Sequence, residues 1–97
     1  MELDQIRAGI DSIDQEMLRL FKERMALAAK AGESKRAAGK PVRDPLRERQ
    51  LLDRITKMAG EPFEMYARTL YATMLDVSCS YQQGLRGEEQ LTSSIVA

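Results

Sequence analysis

Ninety-seven residues with 43% apolar content make one domain with room for one core. Fifteen basic and fifteen acidic side chains cancel, the pI lies near 6.3 and only three Tyr and two Phe are present, so neither a phosphate stripe nor a stacking platform for nucleic acid exists. With no His and the single Cys79, a His-based triad, a Cys/His zinc site and an internal disulfide are excluded by inventory, and no metal or cofactor is expected.

The start, Met1-Glu2-Leu3-Asp4, is amphipathic and acidic, without the basic lead and apolar core of a secretory signal. No run approaches membrane-spanning length, which points to the cytoplasm. From Leu3 onward the apolar residues Leu3, Ile6, Ile10, Ile13, Met17, Leu20, Leu27 and Ala31 step by three and four along one helix face. The spacing predicts a first helix from Glu2 or Leu3 to about Ala38, stopped by Gly39 and Pro41. Such a rod, about 36 residues at 1.5 Å each, is roughly 54 Å long, whereas a compact chain of this length is only about 30 to 35 Å across. The overhanging apolar stripe needs a second chain to cover it, most simply a twofold copy.

Lys40-Pro41-Val42-Arg43 reads as a short extended connector, and Asp44-Pro45 as an N-cap with proline at the first helical position. The second helix is expected to bury Leu46, Leu52, Ile55 and Met58 or Ala59 and to stop at Gly60. Glu61-Pro62 repeats the acidic-then-proline start, and a third helix runs to about Gln83 with Gly84 as its stop, burying Phe63, Tyr66, Leu70, Met74, Val77 and Tyr81. Nothing alternates with the period of a strand. The fold class is all-α: three helices, the first one long, in an intertwined homodimeric bundle.

Where the first helix calls for another apolar residue the chain supplies Arg24, and Lys35 follows close to the same face. A cation on a dry seam needs an anion. That anion is either one of the chain's own carboxylates, such as Asp14, or a ligand; the two side chains, about 16 Å apart along the axis, are able to lean onto one small dianion. Arg7 lies some 25 Å below Arg24, but an antiparallel partner would bring its own Arg7 to the Arg24–Lys35 zone if the twofold axis crosses near Met17 or Leu18. Ser78 and Gln82, four apart, share a face as a cavity-lining pair or as ordinary surface polarity. Asp44 is a helix cap whatever else it does, and Arg47 and Glu48 have Arg43 or Lys40 as alternative surface partners.

Taken in order, Arg7, Glu23-Arg24, Lys35, the run Gly39-Lys40-Pro41-Val42-Arg43-Asp44-Pro45, Arg47-Glu48-Arg49, and Ser78 with Gln82-Gln83 form a pattern that resembles the all-helical chorismate mutase family. The similarity spans roughly residues 3 to 84 and is greatest to the mutase domain that bacteria fuse to prephenate dehydratase. It implies a mutase domain over 1–86, with 87–97 a tail or the start of a linker. It implies a cytoplasmic homodimer in which Arg7 of one protomer completes the other's site, and conversion of chorismate to prephenate by a [3,3]-sigmatropic rearrangement. By matching position, Arg7 and Arg24 bind the two substrate carboxylates with Ser78 assisting and Arg47 beside them. Lys35 and Gln82 donate to the ether oxygen of the breaking bond, and Glu48 accepts from the ring hydroxyl, near the backbone of Asp44.

The inventory agrees with such chemistry, because an intramolecular rearrangement needs no nucleophile, metal or general base. It needs a chain that holds a dianion in a reactive shape and stabilises charge on one oxygen. The same pattern is open to an isochorismate pyruvate lyase or a mutase of the 4-amino analogue. A non-catalytic helical dimerisation module, its cations paired internally, is the reading outside enzymology.

Overall fold

A computed structural model of the chain describes residues 1–87, which form three helices: α1 (Leu3–Ala37), α2 (Pro45–Ala59) and α3 (Glu64–Leu85). No strand occurs among the described residues, and the all-α expectation holds. None of their helices is long and apolar enough to cross a membrane. From residue 88 on, the expected tail or linker lies outside the described residues.

α1 opens on a capping box in which the Glu2 side chain takes the Gln5 N–H while the Glu2 N–H donates to Gln5 Oε1 at 3.0 Å. It closes on Gly39, whose φ of 70° lets the chain turn left-handed. There the Lys40 N–H donates to the Lys35 carbonyl at 2.8 Å and the Gly39 N–H to the Arg36 carbonyl at 3.0 Å, the paired bonds of a Schellman ending. Lys35 and Arg36 in this last turn oppose the negative end of the helix dipole. α2 starts as expected, with Asp44 Oδ1 accepting the Arg47 N–H at 3.1 Å and Pro45 in the first turn.

α3 departs from expectation at both ends. Pro62 does not open the helix; it sits in a turn closed by Phe63 N–H to the Gly60 carbonyl at 2.9 Å, and the helix begins at Glu64. At the other end Gly84 stays helical, and the left-handed residue is Gly87, φ 81°. Tertiary bonds explain the extension: Arg86 donates to the Gly32 carbonyl at 3.0 Å and the Lys40 carbonyl at 3.1 Å, pinning the end of α3 across the end of α1. These bonds offset the cost of about 1 kcal/mol for a glycine inside a helix.

The cross-helix bonds also set directions. Ser78 meets Arg24 and Gln82 meets Lys35, so α3 runs parallel to α1. Arg43 meets Asp76 and Asp53 meets Arg68, so α2 runs antiparallel to α3. Only the second half of α1 takes part in this packing, since every residue from 1 to 20 is exposed. The protomer is 54 Å in its longest dimension and 27 by 25 Å across, matching the length foreseen for the rod.

Burial differs from the periodic reading in a consistent way. Leu3, Ile6, Ile10, Ile13, Met17 and Leu20 each keep between 42% and 60% of their surface exposed. On α2 the buried residue is Leu51, Leu52 and Ile55 are half-buried, and Leu46 and Met58 face outward. On α3, Phe63, Tyr66, Leu70 and Tyr81 are exposed, while Leu75, Ser78, Cys79, Ser80 and Gln82 are buried. The inward face of α3 is therefore rotated from its most apolar stripe to a partly polar one. Among the described residues the buried apolar side chains are Val42, Leu51, Leu75 and Cys79, a core too small to hold three helices by itself.

Candidate active site

Those four buried side chains are also the floor of a cavity of about 310 Å³ between the second half of α1, the connector, α2 and α3. Its polar lining comprises Arg24, Lys35, Asp44, Arg47, Glu48, Ser78 and Gln82, seven of the eight residues singled out from the sequence. The eighth, Arg7, is exposed on the free half of α1 and does not join them within the protomer.

Each side chain is placed by a local device. Lys35 sits in the last turn of α1, where its carbonyl is fixed by the Schellman ending. Its ammonium donates to the Val42 carbonyl at 2.7 Å and to Gln82 Oε1 at 3.4 Å. The Gln82 amide donates back along its own helix to the Ser78 carbonyl at 3.3 Å. Arg24 Nη1 donates to Ser78 Oγ at 3.2 Å, and Ser78 Oγ lies 3.8 Å from Met25 Sδ. Among the described residues no carboxylate comes within 4.0 Å of the charged nitrogens of Arg24, Lys35 or Arg47. The internal pairing weighed in the sequence, with Asp14 as a partner, is not formed.

The two carboxylates on the cavity wall are already engaged. Asp44 caps α2, and Glu48 is held by Arg43, Nε to Oε2 at 3.2 Å and Nη2 to Oε1 at 2.6 Å. Arg43 also reaches Asp76 Oδ1 at 2.9 Å, and these two acids push its guanidinium pKa further above its ordinary value, the Glu48 bonds contributing most. Burial raises the Cys79 thiol above its usual range, against the opposing pull of Arg43, which keeps it a neutral wall atom.

The balance of donors decides what this cavity can hold. Lys35 has three N–H groups and spends two, Gln82 has two and spends one, and Arg24 has five and spends one, all on neutral acceptors. A small, doubly negative molecule meets free charged donors on the α1 side and the acceptor oxygens of Glu48 on the other.

Residues 6–83 match the family described as chorismate mutase type II. The chain belongs to this family. It is 42% identical over 62 residues to the bifunctional chorismate mutase/prephenate dehydratase of Aquifex aeolicus, covering 64% of this chain and 17% of that protein. It is 43% identical over 60 residues to the chorismate mutase of Methanocaldococcus jannaschii, covering 62% of this chain and 61% of that one. The bifunctional chorismate mutase/prephenate dehydratase of Escherichia coli K12 is 34% identical over 83 residues, 82% of this chain and 21% of the relative. The chain thus spans less than a quarter of the two bifunctional relatives and about three fifths of the other.

In this chorismate mutase type II chain, residues not singled out as site residues in the sequence pack against those that line the cavity. Gly32, buried within α1, packs against α3: a Cβ there would stand 3.1 Å from both Cγ and Oε1 of Gln82. A glycine inside a long helical run was the available signal, since such a residue costs about 1 kcal/mol unless packing requires it. Val42, 3% exposed, plugs the floor beneath Lys35. A valine in a polar connector carries no periodicity, so nothing marked it as part of the site. Replacing Gly32 with Val is expected to cost about 1 to 3 kcal/mol by overpacking against Gln82, despite the better helix propensity, as read by urea denaturation. An unchanged midpoint would mean that α1 and α3 are not held this closely.

Proposed function

We propose that the protein is a chorismate mutase, rearranging chorismate to prephenate, and that it works as an intertwined homodimer with two shared sites. The observation that carries this reading is the set of uncompensated donors: Arg24 and Lys35 line one cavity, and each hydrogen-bonds neutral partners alone among the described residues. Such donors suit a dicarboxylate that brings its own charge.

The dimer follows from what the protomer leaves open. Between α1 and α3 lies an apolar groove of about 620 Å³ lined by Met17, Leu20, Phe21, Leu70, Met74 and Val77, and the stripe from Leu3 to Ile13 continues beyond it. A second copy laid antiparallel along α1 covers both, because the stripe of each chain fills the groove of the other. With the twofold axis near Met17 or Leu18, the partner's Arg7 reaches the Arg24 end of the cavity.

In this arrangement Arg24 and the partner's Arg7 clamp the two carboxylates, with Ser78 steering Arg24 and Arg47 adding charge at the rim. The clamps hold the enolpyruvyl arm over the ring, removing the conformational freedom that makes the reaction slow in water. As the carbon–oxygen bond lengthens, negative charge gathers on the ether oxygen. The third Lys35 N–H and the second Gln82 N–H are aimed at that charge, so they stabilise the transition state more than the bound substrate. Glu48 accepts from the ring hydroxyl. No proton is exchanged with the protein at any stage, and no cofactor takes part.

Purified protein mixed with chorismate should remove its ultraviolet absorbance with prephenate as sole product; pyruvate would instead mark a lyase. Lys35→Ala is expected to lower kcat about a hundredfold or more, for a fixed donor of this type is worth on the order of 3 to 4 kcal/mol in the transition state. Full turnover in that variant removes Lys35 from the mechanism.

Shared sites have a distinct signature. Arg7→Ala and Arg24→Ala should each be nearly inactive, yet after mixing and subunit exchange about a quarter of the sites are intact, those in mixed dimers that join the unmutated Arg24 and Arg7. No recovery on mixing would place each site within one chain. Because Gln82 has no ionisable proton, the rate should stay flat across neutral pH. Gln82→Glu donates only when protonated, so its rate should fall as pH rises through the carboxyl titration; a pH-independent variant would exclude Gln82 from the ether contact.

A further inference from the structure

Arg43 stands on the connector between α1 and α2, outside the residues given a substrate contact above. Its planar guanidinium grips both oxygens of Glu48, and one of the same nitrogens reaches Asp76 on α3. Of these three side chains Glu48 is the most enclosed, at 19% exposure against 44% for Arg43 and 48% for Asp76. Glu48 therefore faces the cavity, and Arg43 covers it from the solvent side. Among the described residues no other side chain hydrogen-bonds its carboxylate.

A glutamate on three rotatable bonds does not hold one orientation unaided. A two-point fork fixes the plane of the carboxylate and leaves each oxygen a free lone pair for a further donor. The charged and titratable groups around it are Asp44 and Arg47 from its own end of α2, Lys35 from α1, and Asp76 and Cys79 from α3. None of these supplies a fork.

We propose that Arg43 is a positioning residue: its guanidinium holds the Glu48 carboxylate in the orientation in which it accepts the substrate's ring hydroxyl. The inference rests on the mutase reading. Its alternative is that Arg43 merely staples the connector to α3 through Asp76.

The test compares chorismate turnover by wild type, Arg43→Met, Arg43→Lys, Asp76→Asn, Glu48→Gln and the Arg43→Met/Glu48→Gln double variant. Arg43→Met should lower kcat/KM about tenfold, Arg43→Lys less, and Asp76→Asn, which leaves the fork intact, by less than about threefold. In the Glu48→Gln background Arg43→Met should add less than about a twofold loss, because the group it orients is already gone. A staple alone predicts equal losses for Arg43→Met and Asp76→Asn and a loss undiminished by Glu48→Gln; that result overturns the proposal. Should Arg43→Met fail to fold, Arg43→Lys carries the same comparison with and without Glu48→Gln. A wild-type chain that leaves chorismate untouched sinks the mutase reading, whereas an active wild type with a normal Arg43→Met variant sinks the role of Arg43 alone.

Discussion

The Lys35 ammonium rests on the Val42 carbonyl and the Gln82 amide, and the Arg24 guanidinium on the Ser78 hydroxyl, with no carboxylate beside either among the described residues. Half-burying two cations against neutral dipoles alone is unfavourable. The acids that would neutralise them are occupied: Glu48 and Asp76 by Arg43, Glu23 by Arg19, Asp44 by the start of α2. The site's field is thus made as much by diverting the anions as by supplying the cations.

Holding that arrangement falls to a few backbone devices at one end of the bundle. Gly39 ends α1 so that Lys35 lies in its last turn, Gly32 lets Gln82 close to that turn, and Arg86 ties the Gly32 and Lys40 carbonyls to the end of α3. Each of these bonds is modest, about 1 kcal/mol net, but they act on the same two donors. Donors fixed before substrate arrives need no reorganisation during a reaction, which is where the proposed rearrangement, without general base or metal, would gain its rate.

The opposite end of the protomer carries the hydrophobic driving force without a surface to use it on. The first half of α1 and the exposed apolar side chains of α3 flank an apolar groove, while the chain's own buried core is also the floor of its cavity. Stability and catalysis are therefore coupled in the proposed dimer: the pairing that covers the stripe also delivers the partner's Arg7, and a chain that failed to pair would lose both.

Much of this was legible along the chain. The three helices, the Asp44 cap, the stops at Gly39 and Gly60 and the length of the rod follow from period, capping chemistry and rise per residue, which are local properties. Arg24 and Lys35 stood out because a cation on an apolar seam breaks the period. Which face of α3 points inward was not legible: Phe63 and Leu70 outrank Ser78 and Gln82 in hydrophobicity, yet the face that carries Ser78 and Gln82 is the one buried. Periodicity locates an apolar stripe but not whether its own chain or another covers it. The sequence by itself determined the helices, the inventory that rules out metal and nucleophile chemistry of the Cys/His kind, and the candidate residues for the proposed dianion site. Only the tertiary structure decided that seven of them converge on one cavity, that Arg43 rather than Lys40 engages Glu48, and that α3 runs past Gly84. Those outcomes depend on contacts between residues 5 to 54 positions apart, which no local propensity encodes.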